Sequence, residues 1–256
     1  MRLVGMIHLA PLPGSSAYGG EAFERIVERA VQDARALQDA GFDGGIIQNT
    51  HDLPALATAP PETIAFLSAI GWEIRRTLAL PLGVNVLKND AAAALAIAAA
   101  VDAAFVRLKV YVGAMLGAEG VLEPSAPQAL RMRQRLGSTT PIWADLLDRT
   151  SVPLAPQPIE HLAEWATAFG GAAALVVTGS SWSQTLELAG RVRAAVPQTH
   201  LVIGGGVDQA NVAQALEHVD GVIVGSALEE RPFTGPVSLA KARALVEAAG
   251  RQPAKR

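Results

Sequence analysis

Eight short runs rich in β-branched and aliphatic residues recur along the chain, each separated from the next by enough sequence for a helix. They are Leu3–Ile7, Gly44–Ile47, Leu82–Val86, Ala104–Val110, Pro141–Leu147, Ala174–Thr178, His200–Ile203 and Gly221–Gly225. Amphipathic stretches such as Ala22–Asp39 and Ile64–Thr77 lie between them with helical spacing. Strict alternation of strand and helix implies parallel strands joined by right-handed crossovers. Eight units favour closure into an α/β (β/α)₈ barrel, a TIM barrel, over an open doubly wound sheet. No G-x-G-x-x-G follows the first strand and no Walker motif occurs, which weakens the open-sheet alternative. The length of 256 residues matches the ~250 typical of such a barrel. Residues 1–250 are therefore read as one barrel, and residues 251–256 as a flexible tail.

Composition supports this reading. Apolar residues make up 50% of the chain but aromatic residues only 5%, as suits a parallel sheet buried on both faces. Helices are expected to end at Gly41, Gly137 and Gly170, where a left-handed C′ position prefers glycine. A net charge of −3 gives no reason to expect nucleic acid or an anionic membrane as partner. The longest apolar segment, Ala91–Val101, is too short to span a bilayer, so no integral membrane association is expected. Without cysteine, and without a targeting signal at the N-terminus, a cytoplasmic protein is expected. A homo-oligomer is expected as well.

In a barrel of this kind the active site lies at the C-terminal ends of the strands. Those ends are polar here: His8, Gln48-Asn49, Asn85, Arg107 and Lys109, Asp145, and Thr178-Gly179-Ser180. Alternation puts Val4, Met6 and His8 on one face of the first strand, Phe105, Arg107 and Lys109 on one face of the fourth, and Trp143 and Asp145 on one face of the fifth. Their neighbours are apolar, so the polar set points into the barrel. Asp145, His8 and Lys109 are the candidate catalytic groups. Asn49, Asn85, Arg107, Thr178 and Gly179 are the candidate substrate-binding residues. Salt-bridge pairing of Arg107 or Lys109 with Asp145 would also organise the interior, and would hold Lys109 charged, which argues against a Schiff base. Helix capping explains Asp90 without any chemistry. His51, His161, His200 and His218 lack metal-ligand spacing, and Trp72, Trp165 and Trp182 read as packing groups. No cofactor is expected; the one place a divalent metal would fit is Asp145.

The last two units break abruptly into glycine, as Leu201-Val-Ile-Gly204-Gly205-Gly206 and Gly221-Val-Ile-Val-Gly225-Ser226. Loops after strands 7 and 8 of such barrels commonly hold a phosphate. Glycine lets successive backbone N–H groups approach an anion closely. Gly204, Gly205, Gly206, Gly225 and Ser226 are thus the expected phosphate-binding residues, helped by the positive end of a short helix starting near Ala227. A small phosphorylated ligand is the expected partner, and the barrel is of the phosphate-binding type.

The opening Gly5-Met-Ile-His8-Leu-Ala-Pro-Leu-Pro-Gly14 resembles the G-M-[VI]-H-L-x-P-L-P-G start of the BtpA/SgcQ family. Gly83-Val-Asn85-Val-Leu-Lys-Asn89-Asp90 is similar to that family's G-[VI]-N-V-L-x-N-D, and Tyr111–Met115, Val176–Gly179 and the two glycine turns extend the likeness. The resemblance implies a TIM barrel related to phosphate-binding barrels; the family's namesake is a cyanobacterial factor needed for photosystem I to accumulate. Two departures stand out. Family members commonly read A-D-[VI]-x-V-K-H where this chain has Ala144-Asp145-Leu-Leu-Asp148-Arg149-Thr150, and the usual E-N appears as Gln48-Asn49.

Two classes of function remain. One is an enzyme on a small phosphorylated metabolite, a sugar phosphate or nucleotide-like ester, with Asp145 and either His8 or Lys109 moving protons in isomerase, epimerase or lyase chemistry. The other is a non-catalytic assembly or regulatory factor of the photosystem I biogenesis type. Inward polar residues on six strands favour the enzyme.

Overall fold

In a computed structural model, which describes residues 1–251, eight parallel strands close on themselves. The barrel strands are β1 (Leu3–His8), β2 (Gly44–Gln48), β3 (Leu82–Asn85), β4 (Phe105–Leu108), β7 (Ile142–Asp145), β9 (Ala174–Val177), β10 (His200–Ile203) and β11 (Gly221–Val224). Their order around the barrel is β1-β11-β10-β9-β7-β4-β3-β2. The (β/α)₈ architecture expected from the alternation is what the chain forms. The fourth and fifth runs are shorter than read from sequence, so Lys109 and Leu147 lie in loops just past their strands.

Outside the barrel lie α1 (Phe23–Ala40), α2 (Pro61–Thr77), α3 (Ala91–Ala100), α4 (Ala126–Arg135), α5 (Ile159–Glu164, continued by a π-turn over Trp165–Phe169), α6 (Trp182–Ala195), α7 (Val212–His218) and α8 (Leu239–Ala248). Helix α1 buries Ile26, Ala30, Ala34 and Leu37, spaced by three or four residues, against the sheet. It stops at Gly41, whose φ of 95° lets its N–H reach back to Gln38 and Leu37. The alanines of α3 let that helix lie close on β3 and β4, and Asp90 caps it by accepting from Ala93 N–H at 2.9 Å. Gly137 is left-handed as expected, but Gly170 is not (φ −85°); the π-turn moves that conformation to Gly171 (φ 61°).

A three-stranded antiparallel sheet was not anticipated. It comprises β5 (Met115–Gly117), β6 (Gly120–Leu122) and β8 (Ser151–Pro153) in the order β6-β5-β8. It joins the loops after β4 and β7 and so lies beside the mouth of the barrel. Trp72 and Trp165 are exposed rather than packed. Of the tail, Arg251 is docked on Asp43 with a guanidinium–carboxylate contact of 2.8 Å, while 252–256 lie outside the described residues. Among the described residues no helix is long and apolar enough to cross a membrane.

The barrel interior follows the predicted alternation. Val4, Met6, Ile46, Phe105, Trp143, Ala174, Val176, Val202 and Ile223 form one inner cluster, separate from the layer between sheet and helices. Phe105 and Trp143 stack with centroids 4.0 Å apart. Gly83 makes room for them, since a Cβ there would come within 2.4 Å of the Phe105 ring. This plug closes the N-terminal end and leaves the site to open at the other.

Candidate functional site

At the next inward-facing position of β4 and β7 the filling turns from aromatic to charged. Arg107 Nε and Nη2 donate to Asp145 Oδ1 and Oδ2, both at 2.8 Å, with both side chains buried. Such a fork-to-carboxylate pair is geometrically exacting, and inside a barrel its charges have little water to turn to. Lys109 Nζ donates to the same carboxylate at 3.2 Å and lies 3.5 Å from Asp148. Lys88 Nζ sits 3.2 Å from Asp148 and 3.6 Å from Glu119 and donates to Thr150 Oγ1. Three cations and three carboxylates thus alternate across the barrel mouth.

Burial pushes the Lys109 ammonium below the usual lysine range. Asp145 and Asp148 oppose that shift and Arg107 adds to it. The pairing expected to hold Lys109 charged is present, and burial pulls against it. Burial also resists ionisation of Asp148, but Lys109, the hydroxyls of Thr150 and Ser151, and Lys88 outweigh it. Its carboxyl is held well below the ordinary range.

On the other side of the mouth, His8 Nδ1 bonds to Glu229 Oε1 at 2.6 Å. Glu229 is buried and its second oxygen accepts the N–H of Phe233. In the neutral ring with Nδ1 donating, His8 Nε2 is an acceptor beside Gly225, where a Cβ would lie 3.6 Å from it. Behind Glu229, burial raises Asp33 to about 6, partly offset by the Val237 N–H and Arg29.

A cavity of about 630 Å³ opens between the two sides of the mouth. His8, Arg107, Lys109, Asp145, Thr178, Gly204, Gly205, Gly206, Gly225 and Ser226 all reach it. At Gly204 a Cβ would meet Val176 at 2.3 Å and Arg107 Nη2 at 3.0 Å, so only glycine fits between them. Gly206 is left-handed, with φ 74°. The N–H groups of Gly205, Gly206 and Ser226 have no acceptor among the described residues. Arg149 adds a cation: a Cβ on Gly205 would lie 3.4 Å from its guanidinium carbon, and it pairs with no carboxylate among the described residues. The helix expected near Ala227 is a single 3₁₀ turn over Ser226–Leu228, too short to supply a dipole.

Three of the expected binding residues sit elsewhere. Asn49 is buried beside the site, where Oδ1 accepts from Leu87 N–H at 2.8 Å and Nδ2 donates to Asp52, so it shapes loops. Asn85 is fully buried and donates to the Arg107 carbonyl at 2.8 Å, bracing β4. Gly179 faces a neighbouring cavity and donates its N–H to Thr185 Oγ1 at 2.9 Å. The oxygens of Asp145, the one place expected to suit a metal, are engaged by Arg107 and Lys109, and no cluster of three metal-ligating side chains occurs among the described residues.

Lys88, Asp148, Arg149 and Glu229 were not among the candidate site residues, although Asp148 and Arg149 stand in the departure from the family motif. Arg149 stands where the family pattern has lysine, so the cation lost from that motif is retained in another form.

Solved structures share this fold at low identity. Phosphoribosyl anthranilate isomerase from Thermus thermophilus matches with a TM-score of 0.58 at 16% identity over 98% of both chains. Orotidine 5′-phosphate decarboxylase from Pyrococcus horikoshii gives 0.62 at 14% over 97% of this chain and 99% of that one. Sequence relatives are nearer. An uncharacterised protein of Thermococcus kodakarensis is 35% identical over 96% of this chain and 94% of its own. The photosystem I biogenesis protein BtpA of Synechocystis is 34% identical over 89% of this chain and 80% of its own. The BtpA family model matches residues 1–251, and the chain belongs to the BtpA family.

Proposed function

We propose that this protein is an enzyme that binds a small phosphorylated metabolite at the C-terminal mouth of the barrel and rearranges or cleaves it by proton transfer. The observation that carries the reading is the meeting of unpartnered donors. Gly205, Gly206 and Ser226, whose N–H groups have no acceptor among the described residues, and Arg149, which pairs with no carboxylate among them, line the same cavity as His8 and Lys109. Donors without acceptors on a cavity wall suit a phosphate.

With the phosphate so held, His8 Nε2 is placed to take a proton, Glu229 holding the ring and stabilising the imidazolium that forms. Lys109, its ammonium weakened by burial, is placed to donate to a developing oxyanion, and the Arg107–Asp145 pair keeps it aimed. The names of the two fold neighbours, an isomerase and a decarboxylase of phosphorylated compounds, agree with the substrate class. The name of the Synechocystis relative supports the assembly-factor reading instead, and a protein of that kind need not bind phosphate.

Thermal unfolding with ribose 5-phosphate tests the proposal. A ligand at 100 times its Kd stabilises by about 2.7 kcal/mol, and the melting temperature should rise accordingly. In Gly205→Asp the new carboxylate has room, meets Arg149 and occupies the anion position. That variant should fold and lose the protection. Equal protection in both proteins, or none in either, contradicts the reading.

A further inference from the structure

His51, just past the end of β2, has a bonding pattern that only one of its protonation states can satisfy. Its Nδ1 bonds to the Leu9 carbonyl at 2.6 Å, and its Nε2 bonds to the Phe233 carbonyl. A carbonyl oxygen only accepts, so each ring nitrogen must carry a proton. A neutral imidazole carries one, and its other nitrogen would then set a lone pair against a carbonyl oxygen. The imidazolium alone donates to both.

The two carbonyls belong to parts of the molecule with different freedom. Leu9 is fixed: it is buried, and its N–H donates to the Gln48 carbonyl at 2.9 Å, extending the barrel ladder. Phe233 stands in an exposed strap, residues 230–236, whose ends meet at the Glu229–Val237 bridge. Pro232 and Phe233 of this strap line the cavity. Among the described residues, two hydrogen bonds tie residues 230–236 to anything beyond Glu229 and Val237. One comes from His51. The other comes from Arg29 of α1, which donates to the Thr234 carbonyl at 3.0 Å and stays charged at any working pH. Phe233 also takes φ 65°, a backbone conformation that a bulky residue adopts only when its surroundings hold it there.

We infer that His51 is a pH-sensitive latch: as an imidazolium it holds the strap against the barrel mouth, and the strap lets go as the ring loses its second proton. The direction follows from the proton count. The closed strap requires both protons on His51 and the open strap does not, so acid favours closure and base favours opening. Groups that share this neighbourhood are Asp52 beside His51, Glu229 under the Phe233 N–H, and His8 stacked on the Phe233 ring. Arg29 and Asp33 of α1 hold the far side of the strap. The Leu9–Gly14 segment carries no titratable side chain. The latch stands apart from the phosphate reading, since no ligand enters it.

Hydrogen exchange of the strap amides in the full chain, divided by the intrinsic rate at each pH, tests the latch. In the wild type, protection of residues 230–236 should fall about tenfold or more between about pH 5.5 and about pH 8.5, the scale of one charge-assisted hydrogen bond. The fall should persist in Asp33→Asn, which removes the carboxyl raised to about 6 behind the strap. His51→Gln is neutral throughout and should show the weaker protection at both pH values. Ring nitrogen-15 shifts of the wild type give a check that needs no variant. His51 should carry protons on both nitrogens at the lower pH and lose one over the range in which the strap loosens. Protection that does not change with pH, a change that survives in His51→Gln or vanishes in Asp33→Asn, or a singly protonated ring in the closed strap overturns the latch.

Discussion

Phe105 and Trp143 fill the lower barrel, and two residues further along the same two strands Arg107 and Asp145 face each other. Both pairs are buried, both point inward, and both obey one alternation. They differ in the penalty for losing a partner. The aromatic layer depends on volume, so a truncation costs the cavity it leaves. The charged layer depends on pairing, so a truncation costs the desolvation of the ion left behind. A barrel built this way has a rigid apolar base and a mouth whose geometry is set by electrostatics.

The largest effects are expected from single and paired changes in these two layers. Trp143→Ala and Arg107→Ala should each destabilise the fold by about 3–5 kcal/mol in denaturant unfolding. Arg107→Met combined with Asp145→Leu should recover most of the stability lost in Arg107→Ala, because no unpaired charge remains. No partner substitution at Phe105 should rescue Trp143→Ala to the same degree. Equal rescue in both layers would erase the distinction.

A smaller effect is expected at Asp33, which burial raises to about 6 behind Glu229. An unfolded aspartate titrates near 3.8, so between pH 3.8 and 6 the folded state binds the proton more tightly. The stability this provides is fully present below pH 3.8 and is lost as pH rises through 6. The difference corresponds to about 3 kcal/mol. Asp33→Asn, able to keep the bond from Val237 N–H, should raise the melting temperature at about pH 7.5 and match the wild type near pH 4. A benefit that does not depend on pH would show that Asp33 is not the group responsible.

How much of this could be read beforehand differs between base and mouth in the same way. The strands were legible because runs such as Leu201–Ile203 and Val222–Val224 are short, β-branched and bounded by glycine. The inward set on β4 and β7 was legible because a period of two admits one assignment once Phe105 and Trp143 are placed. The glycine turns suggested a close approach; a Cβ has no room at Gly204, whereas at Gly205 and Gly206 there is space for one. The loop residues did not declare themselves. Glu229 meets His8 across 221 residues of chain, and Lys88 and Glu119 converge from separate loops. The small sheet escaped because its strands are three residues long, too short for any periodicity. Asn85 was singled out because a mid-strand amide suggests a ligand; its Nδ2 serves the Arg107 carbonyl.

A phosphate held at the glycine turns is open to direct inspection. Diffraction from crystals of the protein soaked in ribose 5-phosphate locates the phosphorus directly. It is expected between the turns, its oxygens about 3 Å from the backbone nitrogens of Gly205, Gly206 and Ser226, with the Arg149 guanidinium turned toward it. Phosphorus density elsewhere on the molecule with those N–H groups facing only water, or none at saturating ligand, would contradict it.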